Sequence, residues 1–195
     1  MKTDRSTVRA EESLLVWVGT IYVIAVALAV AYSWIIGVHR FDLGLTVSIY
    51  VALHVWTSVF YFLAATAICG LLGWYVWKTP MYPIQRVVYL LTLLCVFGCA
   101  WFPCNGARSA LSEDIHNYFS YALVILVALS FFLMWVLPGN RRRKLYGLGS
   151  TVFAVFFIAA FALGIRVFKD TIFIWENLII VLLFFELYLE RPESG

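Results

Sequence analysis

A chain of 195 residues that is 64% hydrophobic, 18% aromatic and only 13% charged carries more apolar surface than a water-soluble fold of this size can hide. The net charge of +3 rests on basic residues that flank apolar runs, which excludes a separate nucleic-acid-binding domain. The composition calls for a bilayer as solvent and for an all-α, polytopic membrane bundle.

Six apolar runs are long enough to cross, since a spanning helix needs about 20 residues. After a polar stretch from Met1 to Glu12, the first run covers 13–37. It is read as an uncleaved span, because a cleaved signal has a short apolar core and a small-residue cleavage site. The second run, 46–77, has 32 residues and would reach about 48 Å as one helix, against a hydrocarbon core of about 30 Å. Either its first turns, with His54, sit at the outer interface, or the helix tilts strongly and carries His54 deeper. Trp74, Tyr75 and Trp77 read as an aromatic belt at its far end.

The third run, 86–103, is the shortest; it follows the tight connection Thr79-Pro80-Met81-Tyr82-Pro83 and stops at Pro103. The fourth covers 117–137, with His116 at its head and Pro138-Gly139-Asn140 at its end. The fifth and sixth cover 145–168 and 171–189. There is no repeat at a fixed period, and the loops are too short for another domain, so residues 1–195 read as a single transmembrane domain.

Orientation follows from the basic residues flanking the spans. One side collects Lys2, Arg5, Arg9, Lys78, Arg86, Arg141, Arg142, Arg143, Lys144 and Arg191, ten of the 14. The other holds Arg40, Arg108, Arg166 and Lys169. Both termini are therefore expected in the cytoplasm, in a multi-pass integral membrane protein.

Ionisable groups inside spans are costly and are candidates for function. His54, His116, Arg166 and the pair Glu176-Asn177 lie at a similar depth towards the outer side, together with Arg108 and Asn105 in the loop after the third span. The expectation is a polar pocket opening to the outer leaflet, with Glu176 deepest and Arg166 or a protonated histidine balancing it. A plainer reading is available for each: Arg166, Glu113 and Asp114 as water-interface markers, His116 as a satisfied core histidine. Glu176 resists it, because a lone carboxylate in an apolar run needs a partner. Near the other end of the sixth span, Glu190 is expected at headgroup water, and Glu186 is expected to pair with Arg86 or the basic loop as packing.

Cysteines 69, 95, 99 and 104 fit neither a secreted disulfide framework nor a CxxC motif; a structural Cys99–Cys104 bridge stays open, and small packing residues are the plainer reading. Three histidines (His39, His54, His116) without a metal-ligand motif give no metal site, no haem and no other cofactor. Small residues four apart, Ala25 with Ala29 and Ala160 with Gly164, suit close helix packing or a partner membrane protein.

Two stretches carry a family resemblance. Trp101-Phe102-Pro103 is followed thirteen residues after the proline by His116, and Thr171-Ile172-Phe173 opens the last span ahead of Glu176. Together they resemble the Frag/DRAM/Sfk superfamily and its prokaryotic relatives of unknown function. The resemblance implies six helices, and it implies that Phe102, Pro103, His116 and Glu176 belong to one outer-facing site. The chain departs from the larger members: Cys104 and Asn105 follow the FP pair where an acidic residue is common, and the first outer loop is short.

The expected ligand-binding set is thus Glu176, His116, His54, Arg166, Asn177, Arg108, Phe102 and Pro103. The expected role is lipid-interacting or regulatory, with membrane lipids as partners and no nucleic acid. Two alternatives stay open. One is a membrane enzyme that remodels or hydrolyses a lipid or lipid anchor, with His116 as base, Glu176 orienting it, and Ser109 and Ser112 the nearest hydroxyls. The other is a small-solute transporter or a transporter's substrate-binding subunit, disfavoured by midplanes that are almost purely apolar.

Overall fold

A computed structural model describes residues 5–36, 42–102, 104 and 109–190, with side chains from Ser13 onward. The chain forms α1 (Arg5–Ile35), α2 (Val47–Ala52), α3 (Val55–Lys78), α4 (Pro83–Trp101), α5 (Ala110–Val136), α6 (Arg141–Ala162), α7 (Arg166–Asp170) and α8 (Ile172–Leu189). Among the described residues there is no strand. Six of these helices, all but α2 and α7, are long and apolar enough to cross a membrane. The chain is an all-α, multi-pass integral membrane protein.

Several boundaries differ from the apolar runs, each for a local reason. The run 46–77 is not one helix. It breaks at Leu53-His54, where His54 adopts an extended backbone (φ −142°, ψ 148°) and its side chain caps α3 by accepting from Trp56 N. Thr57 Oγ1 and Ser58 Oγ donate to the Val51 carbonyl at 2.7 and 2.9 Å, so the break leaves that α2 acceptor satisfied.

α4 starts at Pro83, a favoured first helical position for proline. α5 starts at Ala110, capped by Ser109, so His116 lies in the second turn rather than at the head of the helix. α6 starts at Arg141 under an Asn140 cap, which turns the basic cluster into its first turn. The run 145–168 is cut by Gly164 at φ +68°, after which α7 begins.

The helices α1, α3, α4, α5 and α6 stand in a row, each against the next, and α8 packs against α6 and α1. All five helices of the row also hydrogen-bond to α8 or to the residue just past it. Tyr22 of α1 donates to Asn177 (2.9 Å), Tyr75 of α3 to the Leu187 carbonyl (2.9 Å) and Gln85 of α4 to Glu190 (2.7 Å). Ser130 of α5 donates to Glu186 (2.9 Å), and Tyr146 of α6 donates to the Leu182 carbonyl. Tyr75 is therefore core, only 1% exposed, while Trp74 and Trp77 beside it face outward.

The closest helix pair is α5–α6. A methyl group added at Gly147 would lie 2.6 Å from the Trp135 amide nitrogen and 2.9 Å from the Phe131 carbonyl oxygen. The buried Ser150 and Ala154 continue this small-residue seam. α8 carries no small residue, so it is spaced by Leu, Ile and Phe instead. Ala25 and Ala29 are buried, the latter against α2, whereas Gly164 serves as a helix stop.

Candidate functional site

The end of the bundle opposite Arg141–Lys144 carries Glu176, Asn177 and His116. Glu176, one turn into α8, accepts a hydrogen bond on Oε2 from the amide of Val47, the first residue of α2, at 2.9 Å. The break at His54 makes this possible, because it lets α2 fold as a separate turn whose N-terminal amides face α8. Backbone and aromatic ties hold the geometry. Phe173 N donates to the Leu43 carbonyl at 3.0 Å, and the Tyr50 ring meets Phe173 edge-on at 5.9 Å. Next along α8, Asn177 accepts from Tyr22 and donates through Nδ2 to the Phe173 carbonyl at 2.7 Å. Glu176 and Asn177 thereby join α8 to α1 and α2.

His116 belongs to the adjoining α4–α5 corner. It is buried at 4% exposure, and its Nδ1 lies 3.0 Å from the Cys99 carbonyl oxygen and 2.7 Å from that of Phe102. Two acceptors at one ring nitrogen require a proton there, so Nδ1 donates and the imidazole is fixed in orientation. It ties the C-terminal end of α4, where carbonyls lack helical donors, to α5. Phe102 stacks on Phe119 of α5 at 6.2 Å, and Gly98 admits the Phe119 ring, since a Cβ there would meet it at 2.6 Å.

Cys104 lies in the segment that follows α4. Burial pushes its thiol up, and the carboxylates of Glu113 in α5 and Glu176 in α8 push it the same way. The cysteine thiols at 69, 95, 99 and 104 are free, so Cys99 and Cys104 are not bridged.

The remaining expected members lie elsewhere. His54 is the α3 cap and meets the Tyr32 ring edge-on at 5.2 Å. The Arg166 side chain is 92% exposed and pairs with Asp170 at 3.4 Å, so among the described residues Glu176 has no arginine partner. Arg108 and Pro103 lie outside the described residues, as do Asn105 and His39. Ser109 is occupied as the α5 cap, accepting from Ser112 N at 3.2 Å. No group of three or more His, Cys, Asp or Glu suited to a metal occurs among the described residues.

Two open apolar grooves flank this end. One, of about 220 Å³, is lined by Leu28, Ala29 and Tyr32 of α1 with Trp56, Thr57 and Phe60 of α3. The other, of about 280 Å³, runs between α4 and α5 beside the His116 corner, over Leu94, Phe97, Trp101, Phe102 and Phe119.

Sequence reasoning missed the opposite end. Glu190 is 9% exposed rather than in headgroup water, and Arg143 of the basic loop pairs with it at 2.9 Å, not with Glu186. Arg86 instead lies over the Trp77 ring at 5.8 Å and donates to the Thr79 carbonyl. A signal was present: Gln85 and Tyr89, and Glu186 and Glu190, are each four apart, which places each pair on one helix face. Comparison with protein-family models, curated proteins and solved structures finds no match to this chain.

Proposed function

We propose that this protein is a lipid-interacting, regulatory membrane protein whose polar site, on the outer-leaflet side, receives an ammonium-bearing lipid headgroup. The supporting observation is the Glu176 carboxylate, anchored on the Val47 amide at the end flanked by two open apolar grooves, with Glu113 also acting on the Cys104 thiol there. Carboxylates next to aromatic rings suit a substituted ammonium. With Arg166 turned to Asp170, the described residues supply no cation that competes for Glu176. The Arg141–Lys144 end then faces the cytoplasm, in line with the positive-inside rule.

The proposed affinity with the Frag/DRAM/Sfk superfamily implies a site of Phe102, Pro103, His116 and Glu176, which shares Glu176 with this one. His116 here is a corner post: its Nδ1 proton is shared between two carbonyls, which fixes the ring and leaves Nε2 as the unprotonated nitrogen. Native mass spectrometry of protein released gently from the membrane tests the reading. Retained phosphatidylethanolamine, exchanged poorly for phosphatidylglycerol and lost in Glu176→Gln, is the expected result. A lipid-free spectrum, or retention unchanged by Glu176→Gln, contradicts it.

A further inference from the structure

The basic end holds a second polar cluster, separate from the Glu176 site and independent of the function proposed for it. Gln85, Ser130 and Glu186 are completely buried, and Tyr89 is 2% exposed. Two rungs join α4 to α8. In the first, Glu190 Oε1 receives Gln85 Nε2 at 2.7 Å and Arg143 Nε at 3.0 Å, with Arg143 Nη2 at 2.9 Å. Arg143 Nη1 donates to the Leu137 and Pro138 carbonyls, so Arg143 and Glu190 neutralise each other within this rung.

The second rung, one turn deeper, is not balanced. Ser130 Oγ donates to Glu186 Oε2 at 2.9 Å, and the Tyr89 hydroxyl stands beside the same carboxylate. Glu186 Oε1, Gln85 Oε1 and the Tyr89 hydroxyl have no hydrogen-bond partner among the described residues; Arg86 Nε has none either, its guanidinium being turned to the Thr79 carbonyl and the Trp77 ring. The amide orientation of Gln85 is fixed, because its Nε2 must face the Glu190 carboxylate, which only accepts. Two acceptors therefore face one possible donor, the Tyr89 hydroxyl. The other helices do not make up the deficit. Tyr75 of α3 donates to the Leu187 carbonyl, Tyr146 of α6 donates to the Leu182 carbonyl, and α1 contributes apolar Leu14, Leu15 and Val18. The rung is short of one donor and one positive charge, and an unpaired charge or acceptor in a dry site is costly.

We propose that Glu186, Tyr89 and Gln85 form a binding site for one monovalent cation, a proton or a sodium ion, drawn from the aqueous side of the basic end. A proton on Glu186 Oε1 makes an O–H donor for the Gln85 oxygen and cancels the charge. A sodium ion between the two free oxygens does the same by ligation.

Infrared spectra and thermal unfolding of the full chain in nanodiscs test this. A carboxylic-acid C=O band abolished by Glu186→Gln but not by Glu176→Gln supports the site as a proton site. A rise in melting temperature in sodium chloride over choline chloride at equal ionic strength, lost in Glu186→Gln, supports it as a sodium site. A wild-type protein showing neither the band nor the sodium effect overturns the proposal. Should Glu186→Gln fail to fold, Ser130→Ala keeps the carboxyl and replaces that readout. A shifted acid band or weakened sodium response supports the site, and an unchanged spectrum and melting response overturn it.

Discussion

Glu190 shows how much one buried side chain decides. Its Oε1 collects Gln85 Nε2 and two Arg143 nitrogens, and the pair is only 8% and 5% exposed at the side chains. Removing one charge of a buried pair strands the other, at a cost of about 3–5 kcal/mol, whereas apolar replacement of both is nearly neutral. Arg143→Met is therefore expected to lower stability strongly, and Arg143→Met with Glu190→Leu to recover most of the loss. Unfolding in mixed micelles measures both. Gly147→Ala is expected to cost about 1–3 kcal/mol in the same assay, because the new methyl meets Trp135 and Phe131 backbone, which cannot move aside as a side chain can. At this scale the sequence marked Glu176 as a lone carboxylate in an apolar run that needs a partner, and the Val47 amide is one. The sequence did not reveal the partners, because a backbone amide at Val47 and the Tyr22 hydroxyl 155 positions away leave no mark in local composition.

Helices are where hydropathy reads length well and interruptions poorly. Runs 46–77 and 145–168 are uniformly apolar, yet the first breaks at His54 and the second at Gly164. Both breaks are held by hydrogen bonds that an apolarity count ignores. At His54 the Thr57 and Ser58 hydroxyls return to the Val51 and His54 carbonyls. At Gly164 the amides of Gly164 and Ile165 reach back to Phe161 and Ala160. Gly164→Ala forces a Cβ into the left-handed region, and a loss of about 1–2 kcal/mol is expected in thermal unfolding. Thr57→Val removes a buried donor, so Val51 keeps only the Ser58 hydroxyl as a side-chain partner. A loss of about 0.5–1.5 kcal/mol is expected, measurable as faster amide exchange in α2. The polar starts of α5 and α6 escaped the apolar count for the opposite reason: Ser109 and Asn140 are caps, and charged first turns extend each helix beyond its apolar core.

Across the whole molecule, α8 is the element on which the others converge, since five helices and α2 all hydrogen-bond to it or to Glu190. A chain ending at Asp170 leaves Tyr22, Tyr75, Gln85 and Ser130 without these acceptors inside an apolar bundle. Such a chain is expected to aggregate on solubilisation, and co-expressed 171–195 to restore a monodisperse peak in size-exclusion chromatography. The six-span count was legible because hydropathy reports the length and depth of each span. Which groups meet across the bundle was not legible, because depth says nothing about rotation around each helix. The central claim is that Glu176 of α8 shares one corner with the α4–α5 junction. Cys104 reports on it directly, because a carboxylate nearby holds the thiol protonated to higher pH. In a chain with Cys69, Cys95 and Cys99 replaced by alanine, the pH profile of Cys104 alkylation is the deciding measurement. Glu176→Gln is predicted to move that profile to lower pH, as is Glu113→Gln, with faster labelling at a given pH. A profile that Glu113→Gln shifts and Glu176→Gln leaves in place would contradict the shared site.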